Sequence, residues 1–228
     1  MSDIATATTA ANKMSKFHLG CGSLIAEGFV NVDERFGEIS SELKAGAFYA
    51  LQEKPNTFVL KHDLREGIPA LPGSLDVIYH SHFLEHLSRE DGNGFLEQCH
   101  RCLKPGGLMR IVVPDFELWC KNYVNGDDQF FDWYKTTYLG RENPAYRTNA
   151  QIFTGMIYNH GHQMAYDYKT LVHLLGSAGF VNIKRCHWGS SEHLFGIEKI
   201  EDSQPGFNSQ RRHESLLIEC EKGMTQAA

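Results

Sequence analysis

Two glycines one residue apart constrain this chain more than any other feature. Gly20 and Gly22 follow a strand-like apolar run at 17–19, and the lack of a Cβ atom lets their backbone pass close to a bound molecule. Eleven residues after Gly22, a second apolar run at 29–32 ends at Asp33. In an α/β sheet, an acid at the end of the second strand is placed to accept the two ribose hydroxyls. These features predict a nucleoside-type cofactor site.

Further motifs follow along the chain in a characteristic order. They are HDL at 62–64 after one apolar run, HSHFLEH at 80–86 after another, and LKPGG at 103–107 before a third. With LGCG at 19–22 and NVD at 31–33, this order resembles the class I methyltransferases that use S-adenosylmethionine, in the branch with the pattern LGCG…NVD…LEH…LKPGG. The resemblance runs from about residue 16 to the end, and it is specific for fold and cofactor rather than for substrate.

The resemblance implies an α/β fold of the Rossmann-like type. We expect a seven-stranded, mostly parallel sheet with helices on both faces, its last strand at 214–221 running antiparallel. An aromatic helical lid is expected after the fifth strand, at about 115–168. The chain would then be one methyltransferase domain over 16–228, preceded by a flexible tail over 1–15. Its cofactor would be S-adenosyl-L-methionine and its product S-adenosyl-L-homocysteine.

The same resemblance assigns roles to the residues at the strand ends. Gly20 and Gly22 would shape the methionyl pocket, Asp33 would hold the ribose, and Asp63 would meet the adenine amino group. For Asp63 a plain turn-forming role stays open. The full set expected to bind the cofactor is His18, Gly20, Gly22, Asp33, His62, Asp63, Leu64, His80 and Ser81.

Two segments near the glycines carry local predictions. Only residues 23–28 separate the glycine turn from the second strand, which is too few for the usual crossover helix. If the two strands are parallel neighbours, that helix has shrunk to about one turn. Residues 38–54 predict a helix, because Leu43, Ala47 and Leu51 share one helical face and Pro55 ends the pattern.

Composition limits the class of protein and its partners. A chain of 228 residues can bury one α/β core, and its net charge of −6 argues against a nucleic-acid partner. No apolar run approaches the ~20 residues of a membrane span. Scattered cysteines and no secretory signal indicate free thiols in the cytoplasm. Cys99 and Cys102 lie in a predicted helix and favour core packing over zinc binding. A homodimer stays open.

The region 115–168 is where the sequence predicts the binding site for the methyl acceptor. It holds 13 of the chain's 26 aromatic residues, more than one connecting helix needs, so we expect it to form the acceptor pocket. The alternative is an aromatic core that contacts no ligand. The residues expected to bind the substrate are His86, Trp119, Tyr123, Tyr158 and His160.

Proton removal from a hydroxyl acceptor needs a base, and histidine suits this role near pH 7. The candidate catalytic residues are His162, in YNHGHQ, and His82, in HSHFLEH. For each of them an ordinary hydrogen-bonded histidine is the alternative. The same two histidine motifs would also suit a divalent metal if the lid folds over the strand ends. We expect no metal, and metal assistance stays an alternative.

The predicted function is methyl transfer to an oxygen or nitrogen atom of a small molecule. Relatives imply a secondary metabolite or a sugar-bearing acceptor, hence natural product biosynthesis. One rival is a catalytically silent subunit that binds S-adenosylmethionine and serves a partner. Another rival, a nicotinamide-dependent reductase, is disfavoured by the missing third glycine and by the LKPGG turn.

Overall fold

A computed structural model describes residues 4–36, 43–194, 196–202 and 208–224. Eight strands of these residues form one sheet in the order β3-β4-β2-β1-β5-β6-β8-β7. The strands are β1 (Lys16–Leu19), β2 (Val30–Asp33), β3 (Phe48–Ala50), β4 (Phe58–Lys61), β5 (Leu75–Ser81), β6 (Leu103–Pro114), β7 (Phe180–Arg185) and β8 (Ser215–Lys222).

The centre of the sheet is parallel and one flank is antiparallel. β4, β2, β1, β5 and β6 pair in parallel, whereas β8 runs antiparallel to both β6 and β7. This confirms the expected Rossmann-like sheet with an antiparallel last strand. Because parallel strands point the same way, their carboxyl ends meet at one edge, where the glycine turn and Asp33 also lie.

The eighth strand, β3, is where the sequence predicted a helix, and that prediction was wrong. Residues 48–50 pair antiparallel with β4 at the edge of the sheet, and Tyr49 is buried there with its hydroxyl accepting the Lys44 backbone N–H. Ladder hydrogen bonds with β4 outweigh a weak helical pattern. Residues 43–47 and 51–54 of the predicted helix contain turns and no helix, and residues 38–42 lie outside the described residues.

The connection between β1 and β2 contains turns and, in the part of the chain that is described, no helix. The buried Asn31 side chain takes over the hydrogen bonding that a helix would provide. Its Oδ1 accepts the Ala26 backbone N–H at 2.8 Å. Its Nδ2 donates to the carbonyls of Ala26, Phe29 and Phe58. Parallel β1 and β2 are therefore joined by a short loop in place of the usual crossover helix.

The described residues contain eight α-helices. They are α1 (Ile4–Ala11), α2 (Arg89–Cys102), α3 (Phe116–Val124), α4 (Asp128–Tyr134), α5 (Asn149–Tyr158), α6 (Tyr168–Ser177), α7 (Glu198–Glu201) and α8 (Asn208–Arg211). Within the described segments none is long and apolar enough to cross a membrane. α1 replaces part of the predicted flexible tail, because its Ala7 and Ala11 are buried, Ala11 in the main core.

The predicted helix with Cys99 and Cys102 is α2. It begins at Ser88, whose hydroxyl accepts the Asp91 backbone N–H at 3.1 Å. Both cysteines are fully buried in the main hydrophobic core and are free thiols. Core packing is therefore their observed role.

The expected helical lid is present after β6 and consists of α3, α4, a π-helical turn at Lys135–Leu139, and α5. Its two ends meet, since the Phe116 N–H donates to the Tyr166 carbonyl. The lid has a core of its own around Trp119, which no solvent reaches. Trp119 stacks on Phe153 with ring centroids 5.7 Å apart. Much of the aromatic density thus stabilises the lid itself.

Candidate active site

A cavity of about 490 Å³ lies at the carboxyl edge of the sheet, and we call it the glycine cavity. Six of the nine residues expected to bind a cofactor line it. They are Gly20, Gly22, Asp33, His62, Asp63 and Leu64. The ends of β1, β2 and β4 therefore bring these residues together as the sequence predicted.

Asp33 is held at the floor of the glycine cavity by backbone hydrogen bonds. Its Oδ2 accepts the Gly22 N–H at 2.8 Å and its Oδ1 accepts the Arg35 N–H at 2.6 Å. Burial raises the pKa of Asp33, and the two N–H donors act in the opposite direction. Each carboxylate oxygen keeps a further lone pair, which suits it to accept the hydroxyls of a ribose.

Gly20 is packed against an aromatic ring. Its φ angle is +63°, and a Cβ atom at this position would lie 2.7 Å from the Cβ of Phe83. Gly22 also has a positive φ, +55°, but a Cβ there would meet nothing within 4 Å. Gly20 is therefore required for close packing, whereas Gly22 is required only for its backbone conformation.

Asp63 shows both of the behaviours considered from the sequence. Its Oδ1 accepts the Arg65 backbone N–H at 2.9 Å, as in a turn, and its Oδ2 pairs with Arg65 Nη2 at 2.6 Å. The hydrogen bonds from Arg65 lower the pKa of Asp63. The carboxylate nevertheless lines the glycine cavity.

Three other residues expected at the cofactor are instead buried below it. His18 and His80 are 1% and 0% exposed, and Ser81 is also buried. Burial lowers the pKa of His18 to about 4 and that of His80 to about 3, so both rings are neutral at pH 7. None of the three lines the glycine cavity. They lie within β1 and β5, strands at the centre of the sheet that are buried on both faces.

A second cavity, of about 260 Å³, adjoins the first under the lid, and we call it the histidine cavity. It is lined by His82, His86, Pro114, Tyr134, Thr137, Tyr138, His160, His162, Arg211 and Glu214. His82, His86 and His160 line both cavities. A molecule in one cavity therefore faces a molecule in the other across these imidazoles.

The two histidine motifs are brought together by hydrogen bonds from Gln163. Its backbone N–H donates to the Glu85 carbonyl at 2.8 Å, and its side-chain Nε2 donates to the His86 carbonyl at 2.7 Å. The rings of His86 and His162 then lie edge to face, with centroids 4.7 Å apart. The contact thus fixes the return of the lid onto the short helical turn at Leu84–His86.

Two of these histidines have backbone conformations that are uncommon for residues other than glycine. The φ angles of His82 and His160 are +50° and +61°. Residues held in this left-handed region cluster at functional sites. Both outliers lie at the junction of the two cavities.

The two candidate catalytic histidines differ in how their ring nitrogens are used. His162 Nδ1 lies 2.7 Å from the Met156 carbonyl oxygen, which can only accept, so Nδ1 carries the proton and Nε2 has a free lone pair. His82 Nε2 lies 2.9 Å from Ser215 Oγ, and its Nδ1 lies 3.2 Å from Glu85 Oε1. Burial lowers the pKa of both imidazoles.

Two buried carboxylates near the histidines were missed by the sequence analysis as site residues. Glu85, 1% exposed, lies beside His82, and burial raises its pKa. Glu214 lines the histidine cavity, and burial raises its pKa to about 8. Glu85 is adjacent to His86 in the LEH motif, which was a usable signal. Glu214 had none, because β8 is placed beside the site only by the sheet topology.

The aromatic residues expected to bind the acceptor lie away from both cavities. Trp119 is inside the lid core, while Tyr123 and Tyr158 are 44% and 73% exposed on its outer surface. The aromatic residues that line the histidine cavity are Tyr134 and Tyr138. Their position on the inner face of the lid depends on how α4 packs, which composition alone does not specify.

Comparisons with known proteins agree with this architecture. Residues 18–111 match the family model described as a methyltransferase domain, and no curated protein matches the chain in sequence. One similar structure is a SAM-dependent methyltransferase from Archaeoglobus fulgidus. It has 17% identity and a TM-score of 0.49, with coverage of 96% of this chain and 92% of that chain.

Two further structures reach a TM-score of 0.50. One is the Haloferax volcanii complex between a methyltransferase activator and a methyltransferase, at 12% identity over 98% of this chain and 90% of that chain. The other is the methyltransferase domain of the citrinin polyketide synthase, at 11% identity over 92% of this chain and 46% of that chain. These likenesses show the fold. The family match, over residues 18–111, adds that this part of the chain is similar to a methyltransferase domain.

Proposed function

We propose that this protein transfers a methyl group from S-adenosylmethionine to an oxygen or nitrogen atom of a small molecule bound in the histidine cavity. The observation that carries the proposal is the junction of the two cavities at His82, His86 and His160. It lets an acceptor under the lid face a methyl group held on the glycine side.

The glycine cavity fits the cofactor in both size and chemistry. Its volume of about 490 Å³ lies within the ~300–1,000 Å³ typical of sites for ligands of this size. The Asp33 carboxylate is fixed for the ribose hydroxyls, and Asp63 stands at the expected adenine end. His62 donates its Nε2–H to the Gly67 carbonyl at 2.8 Å, which holds the loop after β4.

The histidine cavity favours a small acceptor. Its volume of about 260 Å³ lies below that typical range, and the lid covers it. The walls combine the rings of Tyr134 and Tyr138 with the polar side chains of Arg211 and Glu214. This mixture suits a compact acceptor with hydroxyl or amino groups, as in a sugar-bearing molecule or a secondary metabolite.

S-adenosylmethionine supplies a methyl group that its sulfonium has already activated. A lone pair of the acceptor atom forms the new bond to carbon, while the electrons of the broken C–S bond return to sulfur. The protein's part is to align the acceptor and exclude water. A hydroxyl acceptor must also lose its proton, to an imidazole or after its pKa is lowered by a bound cation.

Of the two candidate catalytic histidines, we propose that His162 acts on the acceptor at this point and that His82 has a positioning role. His162 presents a free Nε2 lone pair, whereas His82 Nε2 contacts Ser215 Oγ and its Nδ1 faces the Glu85 carboxylate. Of the two histidines, therefore, His162 has a ring nitrogen that is free. This Nε2 could contact the acceptor directly or bind a group that itself holds the acceptor. His82 would hold the passage between the cavities in shape.

The proposal is tested with S-adenosylmethionine that carries a deuterated methyl group. Enzyme and cofactor are added to metabolite extracts, and labelled products are found by mass spectrometry. A labelled small molecule, absent with His162→Ala, is the expected result. Label only on protein or nucleic acid would overturn the small-molecule acceptor. Binding of S-adenosylhomocysteine without any labelled product would favour the silent-subunit rival.

A further inference from the structure

We infer that Glu85, His86 and His162 form a divalent-cation site in the wall of the histidine cavity. The donor atoms of these three side chains all lie within 4.8 Å of one another. In an occupied tetrahedral site, donor atoms that are each ~2.0–2.2 Å from the metal lie about 3.3–3.6 Å apart. Small rotations of the three side chains would bring their donor atoms from separations of up to 4.8 Å to those of an occupied site. Cation binding does not depend on the proposed methyl transfer, whereas the role of the cation rests on it.

Glu85 supplies the first independent argument for a cation. Its side chain is 1% exposed, and neither carboxylate oxygen has a hydrogen-bond partner among the described residues. The nearest basic atom is His82 Nδ1, 3.2 Å from Oε1 but not aligned for a hydrogen bond. A buried carboxylate without hydrogen bonds is costly. A divalent cation on these oxygens offsets that cost.

The orientation of His162 supplies the second argument. Histidines that bind metals commonly donate the other ring N–H to a carbonyl or carboxylate, which fixes the tautomer and the ring. His162 Nδ1 makes this contact with the Met156 carbonyl at 2.7 Å. Its Nε2 is thereby left as an unprotonated donor atom, on a ring that lies edge to face with that of His86 at 4.7 Å.

The backbone around the cluster is rigid enough to keep the donors in place. Glu85 and His86 lie in one short helical turn. Gln163 bonds to the carbonyls of both, and the Met164 N–H also donates to the Glu85 carbonyl at 3.2 Å. The ligands thus come from two segments that are joined at the site itself. Such preorganisation is what metal affinity requires.

The donor set indicates the class of metal. Two imidazoles and one carboxylate suit Zn²⁺, Co²⁺, Mn²⁺ or Fe²⁺ better than Ca²⁺ or Mg²⁺, which prefer oxygen ligands. With three protein ligands, at least one coordination position is left towards the histidine cavity. An acceptor hydroxyl bound there would have a lower pKa. It would release its proton to solvent, and its oxygen would then take the methyl group as the C–S bond breaks.

The test measures metal binding directly. Full-length protein is treated with a chelator, the chelator is removed by dialysis, and Co²⁺ or Zn²⁺ is titrated by calorimetry, with the visible spectrum of Co²⁺ as a second readout. We expect one ion per chain and at least tenfold weaker binding for Glu85→Gln, His86→Ala and His162→Ala. His160→Ala is the matched control, because His160 lines the same cavity but lies outside the three-residue cluster. It should keep the affinity within about twofold.

Two outcomes would overturn the inference. They are the absence of stoichiometric binding to the unmodified protein, and equal binding by His162→Ala after circular dichroism has shown it to be folded. A parallel titration with S-adenosylhomocysteine separates this failure from failure of the proposed function. If the protein binds the cofactor but no metal, the cation site is wrong and the methyl-transfer proposal stands. If it binds metal but not the cofactor, the methyl-transfer proposal is wrong and the cation site stands.

Discussion

The backbone N–H of Gly22 donates a hydrogen bond of 2.8 Å to Oδ2 of Asp33. This contact joins two motifs that are eleven residues apart and lie on neighbouring parallel strands. The glycine turn thereby orients the carboxylate, and the carboxylate holds the turn. The pair is one structural unit, so a change at either residue should be felt at both.

Replacement of Asp33 by Ala should weaken binding of S-adenosylhomocysteine. The change removes a charged acceptor for the ribose and leaves the Gly22 and Arg35 N–H groups without their partner. The expected loss is about 1.5–3 kcal/mol, a rise in Kd of about 10- to 150-fold. Calorimetry measures the Kd. Asp33→Asn keeps one acceptor oxygen, so its Kd should lie between those of the unmodified protein and Asp33→Ala. An unchanged Kd for Asp33→Ala would remove the ribose assignment.

Gly20→Ala should cost more stability than Gly22→Ala, although both glycines have positive φ angles. The backbone cost of a left-handed Ala is about 1–2 kcal/mol at either position. Only at Gly20 does the added Cβ also collide with Phe83. Urea denaturation gives both free energies of unfolding. In a Phe83→Gly background, which removes both the ring and the Cβ of residue 83, the excess cost at Gly20 should disappear, and its persistence would contradict the steric explanation.

The glycine side of the site was predictable because its signals are local. A glycine turn and an acid each follow a short apolar strand, and parallel strands that begin together also end together. His18, His80 and Ser81, which were also expected at the cofactor, are buried in β1 and β5 and do not line the glycine cavity. Whether a strand residue faces the ligand or the core depends on the register, which β1 and β5 acquire only by pairing.

The histidine side could be predicted only in part, because long-range contacts assemble it. Glu85 meets His162 through a hydrogen bond from Gln163, 78 residues further along the chain. Glu214 arrives because β8 pairs antiparallel with β6. Neither contact leaves a periodic pattern in the sequence. The strand β3 was missed for a similar reason, since a three-residue edge strand is specified by its partner β4 rather than by its own residues.

Tyr138 and Trp119 should respond differently to replacement by Phe. The Tyr138 hydroxyl interacts with the Glu214 carboxyl in the wall of the histidine cavity. Its loss should raise the KM for the acceptor by about fivefold to tenfold and leave the Kd for S-adenosylhomocysteine unchanged. Trp119→Phe should leave both constants unchanged and lower the free energy of unfolding by about 1–2 kcal/mol through lost packing. If Trp119→Phe raises the KM for the acceptor, Trp119 contributes to acceptor binding as the sequence predicted.

Acid should destabilise the protein through His80. This ring is buried with both nitrogens unbonded to any described residue, and burial lowers its pKa from 6.5 to about 3. Below pH 6.5 the unfolded chain gains a proton that the folded chain does not. Each pH unit between 6.5 and about 3 therefore removes about 1.4 kcal/mol of stability. The free energy of unfolding of His80→Leu should fall less steeply with decreasing pH, by this amount per pH unit. Urea denaturation at pH 7, 6 and 5 measures it. The contributions of other titrating groups cancel when the variant is compared with the unmodified protein. If the two plots of unfolding free energy against pH are parallel, His80 takes up its proton in the folded state and the prediction is wrong.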